Sequence, residues 1–376
     1  MVNAYKIGSI EDYFKLYDYS VEAIKHVNKS FKIGGPATSD VGMGFLRQFL
    51  KHVTSGKNYV TNEIGTRIDF ISFHTKGADY IPRRCYGHKV SYQSPNLSKI
   101  LNDIHNNLMI CNEFEQLNNL PIFIDECDPA VGTIYGVYDN PNYIICNTEY
   151  YPCIVASMIY HILSLSNRIQ LITHWSFYME GKRLFEGNRT LMTNYNLHLP
   201  ILSDLKLFGK LKYKQLFIEM NQIQLPIFGM ATCDDENKSF QLLLFYHVDD
   251  WTSEDIQSIN ITFINIPLQN VLLKHYRIDS NHIENDQRLE DINQRTCYRL
   301  TRNDLLRDEY QEVFQEFHDD EETMKFIEQT NGLIGRGVMF VYSIAQFKTL
   351  LDIDYNEQYP LIALLHIGAG DGSITE

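Results

Sequence analysis

Between residues 9 and 214, short apolar runs alternate with stretches of helical period, and no other pattern limits the fold as much. Phe14, Tyr17, Val21, Ile24 and Val27 recur at helical spacing, which predicts a helix over 9–29. Ser9 followed by Asp12 resembles a capping box with Asp in place of Glu. FKIGGPA (31–37) reads as a short strand closed by Gly34-Gly35-Pro36. Residues 41–54 read as a helix with Phe45, Leu46, Phe49 and Leu50 inward, and RIDFISFHTKG (67–77) reads as a strand. A helix over 98–119, capped by Ser98, leads to a strand over 120–126. A helix over 149–167 with Pro152 in its first turn, a strand over 168–178 and a helix over 200–214 complete the region. This alternation is the pattern of parallel βα units. Four such units make half of an eightfold barrel. A half barrel exposes two strand edges, and this chain opens on a helix, so a fragment of a larger barrel is expected.

After residue 215 the helical period disappears. LFIEM, PIFGMAT, FQLLLFYHV, INITFINI and VLLKHYRI follow one another between 216 and 278 with turn residues between them. FVYSI and LIALLHI close the chain in the same style. Successive strands of this kind predict an antiparallel β-sandwich. Residues 302–330 read as an acidic helical insertion, with Asp319-Asp320-Glu321-Glu322 on a solvated face. The expected architecture is therefore α/β: a partial (β/α)8 barrel over 1–214, its C-terminal half, then a β-sandwich over 215–376.

Charge narrows the partners. The net charge of 33 − 47 = −14 argues against nucleic acid or an anionic membrane as the main partner. The seven cysteines include no CxxC pair, and no Cys/His cluster has metal-ligand spacing, so neither metal nor cofactor is expected. No apolar run reaches the roughly 18 residues of a membrane span, and Met1–Lys6 lacks the apolar core of a signal peptide. Either the protein is cytosolic or its true N-terminus lies upstream. Five N-x-S/T sequons, at Asn28, Asn96, Asn188, Asn237 and Asn260, lean weakly toward a secretory route. There is no G-x-S-x-G elbow, no P-loop, and Gly34-Gly35 lacks the spacing of a dinucleotide loop.

The chemistry concentrates at strand ends. In LPIFIDECDPAVGT (120–133) the apolar run Ile122-Phe123-Ile124 stops at Asp125 and Glu126, with Cys127, Asp128 and Pro129 after them. The 67–77 strand ends in His74-Thr75-Lys76-Gly77, and the 168–178 strand ends near His174-Trp175, with Glu180 soon after. In a parallel barrel such ends converge on one rim. A carboxylate, an imidazole, an ammonium and an aromatic ring there would suit a polyhydroxylated, possibly anionic substrate. Each residue also has a plain structural reading: Glu126 as a strand-end acid, His74 as a core histidine and Lys76 as a loop lysine. Trp175 reads as core and Asp128, before Pro129, as a turn-former.

These segments resemble glycoside hydrolase family 39, closest to its α-L-iduronidase branch. EDYFKLYDYSVEAIKHVNKSFKIGGPATS (11–39) is similar to the family's helix and strand after its acid/base motif. RIDFISFHTKGA (67–78) resembles the strand carrying His-x-Lys-Gly, and PIFIDECDPAVG (121–132) the segment bearing the nucleophile. RTLMT and the following helix (189–214) resemble the end of the barrel.

The resemblance implies a retaining O-glycosyl hydrolase with Glu126 as nucleophile and His74 on the sugar. Lys76 and the backbone of Gly132 would hold a uronate carboxylate, and Glu180 and Arg189 would be further sugar contacts. The substrate implied is a terminal uronate of a glycosaminoglycan, and the intact form would be lysosomal or secreted. The family's Asn-Glu-Pro motif, whose Glu is the general acid/base, has no counterpart in residues 1–376. A β-xylosidase-like activity, a non-catalytic carbohydrate-binding relic and an incomplete gene model of an active enzyme remain as alternatives.

Overall fold

A computed structural model describes residues 9–39, 42–77, 95–130, 136, 141–176, 189–192, 198–220, 226–237, 239–250, 253, 256–264, 270–279, 315–316, 324–325, 329–335, 337–345 and 362–368. The chain divides into two units: residues 1–80, 95–131 and 161–175, and residues 81–94, 132–160 and 176–376.

The first unit carries α1 (Ile10–Val27), β1 (Gly34–Thr38), α2 (Met43–Ser55), β2 (Phe70–Lys76), α3 (Leu97–Asn112) and β3 (Ile122–Asp128). α4 (Tyr150–Leu165) begins in the second unit and ends in the first, where β4 (Ile169–Ile172) follows it. The four strands form one parallel sheet in the order β1-β2-β3-β4. Sequential order without reversal differs from doubly wound sheets, which reverse at a switch point.

Local chemistry accounts for the boundaries. Ser9 caps α1, its side chain accepting from the Asp12 N–H, so the expected box is present. For α3 the cap is Asn96, which accepts from the Lys99 N–H, rather than Ser98. β3 does not stop at the carboxylates. It runs on to Asp128 because Thr75 and Lys76 of β2 pair in register with Cys127 and Asp128, and Pro129 ends it. Ile71, Phe73, Ile122 and Ile124 are sealed from solvent. Each sealed side chain of this kind contributes about 1.5–3 kcal/mol relative to exposure. Asp18 of α1, fully buried, accepts from Thr66 Oγ1 (2.7 Å) and the Tyr59 N–H (2.9 Å) and lies 3.1 Å from His52 Nε2 of α2. Phe14 stacks on the His52 ring at 4.4 Å. One buried carboxylate thus ties α1, α2 and the loop before β2.

The second unit holds α5 (Pro200–Phe208), β5 (Lys214–Met220), β6 (Ile227–Asp234), β7 (Ser239–Tyr246), β8 (Ile256–Ile264) and β9 (Asn270–Asp279). The short β10 (Gln315–Glu316) and β11 (Met324–Lys325) follow, then β12 (Gln329–Gly335), β13 (Gly337–Ala345) and β14 (Ile362–Gly368). α5 stops at Gly209 rather than near 214. The strands run β10-β9-β13-β7-β6-β5-β14-β8-β12, antiparallel except where β5 meets β14. β5 changes neighbour midway: Lys214–Leu216 pair with β6, and Phe217–Met220 with β14.

Alternation along β7 feeds two cores. Phe240, Leu242, Leu244 and Tyr246 join Ile227, Ala231, Ile259, Ile261 and Phe263 on one side. Leu243 and Phe245 join Met230, Ala156 of α4 and Leu207 of α5 on the other. Ala156 and Leu207 thus pack on the same core as the antiparallel strands. The helical insertion expected near 302–330 lies largely outside the described residues. The described parts, β10, β11 and the start of β12, are extended and pair with β9 and β8, not helical.

Candidate active site

The site is built from the C-terminal ends of β2 and β3 and the residues just after β4, all in the first unit. Parallel pairing brings these ends together without any specific side-chain attraction. A register shift then re-aims two acids. Phe73 pairs with Ile124 but His74 pairs with Glu126, so Asp125 is the extra residue of a bulge. Neighbouring residues of a regular strand point to opposite faces. Here Glu126 Oε2 lies 3.4 Å from His74 Nδ1, and Asp125 Oδ1 lies 3.5 Å from His74 Nε2. One imidazole stands between two carboxyl groups.

Lys76 is the other organiser. Its ammonium donates to Glu126 Oε2 at 2.8 Å and to Asp128 Oδ2. Glu126 and Lys76 are 7% and 8% exposed, and Asp128 is fully buried. Asp128 Oδ1 lies 2.9 Å from His174 Nδ1 and accepts the Trp175 N–H at 3.0 Å. Such charge-assisted bonds are about twice as strong as neutral ones. Asp128 is thus a buried acceptor shared by both neighbouring strand ends rather than a turn-former. Trp175 is 48% exposed rather than core, because β4 has ended three residues before it.

Electrostatics separate the neighbouring groups. Burial pushes the Asp125 carboxyl up, and Glu126 adds to this, while His74 and a hydrogen bond from Ser72 pull it down. Burial pushes the Tyr13 phenol up to about 12, with the charge on Asp125 adding. Cys127, between the two acids, is held as a thiol: burial, then Asp128, raise it well above its ordinary value. Glu126 is the acid that combines a cationic partner with some exposure.

The structure therefore brings His74, Lys76 and Glu126 into one cluster. Gly132 and Glu180 lie outside the described residues. Arg189 belongs to the second unit, where it is buried and its carbonyl accepts the Ser176 N–H at 3.1 Å. Sequence reasoning passed over Asp125, Asp128 and His174 as a set. Their spacing held one signal, two acids flanking Glu126-Cys127, but not which side they face. Among the described residues no group of three or more His, Cys, Asp or Glu side chains could hold a metal, and no helix is long and apolar enough to cross a membrane.

Comparison with known proteins places the chain in a family. The model of glycosyl hydrolases family 39 matches residues 4–291. The chain belongs to glycosyl hydrolase family 39. A second family model, DREV methyltransferase, matches residues 328–376 at the C-terminus. Mouse α-L-iduronidase is 23% identical over 233 residues, covering 56% of this chain and 33% of that protein. A β-xylosidase of Caldicellulosiruptor saccharolyticus is 41% identical over 73 residues, covering 19% of this chain and 13% of that protein. The solved structure of the bacterial orthologue of human α-L-iduronidase superposes with a TM-score of 0.63 at 16% identity, covering 92% of this chain and 61% of that one. This family 39 chain thus shares the fold of that structure while spanning about a third of the length of the curated iduronidase it matches.

Proposed function

We propose that this chain carries the nucleophile portion of a retaining, α-L-iduronidase-like glycoside hydrolase that removes terminal uronic acid from glycosaminoglycans. Residues 1–214 are read as the C-terminal half of a (β/α)8 barrel, which the sequential order β1-β2-β3-β4 favours. Residues 215–376 are read as the β-sandwich, which the separate cores on the two faces of β7 favour.

The observation that carries the reading is the meeting of the β2 and β3 ends at Glu126, with Lys76 2.8 Å and His74 3.4 Å from it. In a retaining reaction a carboxylate attacks the anomeric carbon and forms a glycosyl-enzyme, which water then hydrolyses. Glu126 takes that role and His74 meets the sugar. Lys76 has three N–H donors and uses two within the site, which leaves one for a substrate carboxylate. The backbone of Gly132, Glu180 and Arg189 complete the proposed sugar contacts. The second carboxyl of a retaining pair stands about 5–5.5 Å from the first. It is assigned to the glutamate of the family's Asn-Glu-Pro motif, so turnover is proposed for a polypeptide that includes that motif. The intact form is proposed to be lysosomal or secreted.

The β-xylosidase reading is favoured by the 41% identity over 73 residues. Xylose lacks the carboxylate that an ammonium recognises, so Lys76 separates the two. With a polypeptide that includes the acid/base, hydrolysis of an aryl iduronide is expected to exceed that of an aryl xyloside, and Lys76→Ala to reverse the preference. Preference for the xyloside, indifferent to Lys76→Ala, would remove the uronate reading.

A further inference from the structure

The two oxygens of Asp128 are both committed. Oδ2 accepts from Lys76 of β2; Oδ1 accepts the Trp175 N–H and faces His174 Nδ1, both after β4. One carboxylate thus joins the ends of the strands on either side of its own. The backbone repeats the clamp, since the Gly77 N–H donates to the Asp128 carbonyl at 2.9 Å. A Cβ on Gly77 would stand 2.6 Å from the Pro129 carbonyl oxygen and 2.9 Å from Ile100 Cδ1. Only glycine lets the two chains lie that close. Asp128 is fully buried, so it does not touch a sugar. Its route to Glu126 passes through Lys76, whose ammonium lies 2.8 Å from Glu126.

We propose that Asp128 is a positioning residue that aims Lys76, and through it the Glu126 carboxylate, at the anomeric carbon. The proposal rests on the reading of Glu126 as nucleophile and deepens it. A buried ammonium with two anionic partners has one stable place. With Asp128 removed, the ammonium keeps Glu126 alone and nothing on its other side fixes its direction. A displacement of about 1 Å at a reacting group can cost on the order of 10²-fold in rate. Because that loss concerns the placement of the nucleophile, it falls on any sugar the site accepts.

The test uses the full chain and 2-deoxy-2-fluoro glycosyl fluorides of the iduronosyl and xylosyl type. A Glu126 oxygen bonds to the anomeric carbon as the C–F bond breaks, and fluoride leaves with the electron pair. Fluoride leaves without a proton, so the acid/base glutamate is not needed. Labelling is followed by intact mass with peptide mapping, and Lys76 reactivity by acetic anhydride. Circular dichroism confirms the fold of each variant. Asp128→Ala is expected to slow the labelling step about 10²-fold for every reagent that labels the wild type, with the half-saturating concentration unchanged for the xylosyl reagent and raised for the iduronosyl one, whose carboxylate meets Lys76. It is also expected to raise Lys76 acetylation toward that of an exposed lysine. Asp128→Asn, which keeps size and the acceptor for the Trp175 N–H, is expected to fall between, and decides the matter if the alanine variant does not fold. A loss confined to the iduronosyl reagent while the xylosyl reagent labels normally would overturn the proposal. So would unchanged Lys76 acetylation in a folded variant. If neither reagent labels the wild type, the nucleophile reading fails, and acetylation alone then decides whether Asp128 holds Lys76.

Discussion

The two units differ in how far the partners of a buried acid lie along the chain. In the parallel unit Lys76, Glu126 and Asp128 are buried and paired with one another, and buried Asp18 has His52 Nε2 at 3.1 Å. In the antiparallel unit the two cores are apolar, and Asp204 of α5 is buried with neither carboxyl oxygen hydrogen-bonded among the described residues. Burial raises that carboxyl well above its ordinary value. The difference follows from where strands end. Parallel strands joined by helices deliver their ends to one rim, where charges can meet across strands. Antiparallel strands alternate along their length, so their sides serve packing, and the buried Asp279 pairs with Arg277 two residues away on its own strand, at 2.6 Å.

That contrast can be broken by mutation. Asp18→Ala removes the acceptor shared by His52, Thr66 and the Tyr59 backbone, and is expected to cost about 1–3 kcal/mol in urea unfolding. A loss below about 1 kcal/mol would show that the buried pairs of the first unit are not what holds it. Gly77→Ala crowds Pro129 and Ile100 and is expected to cost about 1–3 kcal/mol, with slower labelling of Glu126. Unchanged labelling would separate the backbone clamp from the site.

Asp204→Asn sharpens the other side. The folded-state pKa of Asp204 is raised, so its neutral form stabilises the fold at low pH. That contribution is lost as pH rises through the folded value. The wild type therefore loses up to about 1.4 kcal/mol per pH unit between the unfolded value near 4 and the folded one, and the variant does not. Melting temperatures of the two are expected to diverge as pH rises, with the variant higher. Parallel curves would mean that Asp204 is paired.

What could be read in the sequence was local or periodic. Ser9 announced α1, and successive apolar runs with turn residues between them announced the antiparallel strands. The strand-end placement of His74, Lys76 and Glu126 followed from the alternation of elements. The rest is non-local. The partners of Asp128 lie 52 and 46 residues away, at Lys76 and His174, and an Asp-Pro pair looks like a turn to any local rule. The bulge at Asp125 arises from the register between two strands, which neither strand encodes alone. Trp175 lies past the end of β4, where alternation no longer predicts a face.

One measurement bears on the whole reading: tandem mass spectrometry of the peptide labelled by a 2-deoxy-2-fluoro glycosyl fluoride. A single sugar on Glu126, absent from Glu126→Gln, is the expected result. A sugar on Asp125 instead, or equal labelling of the Glu126→Gln chain, would contradict it.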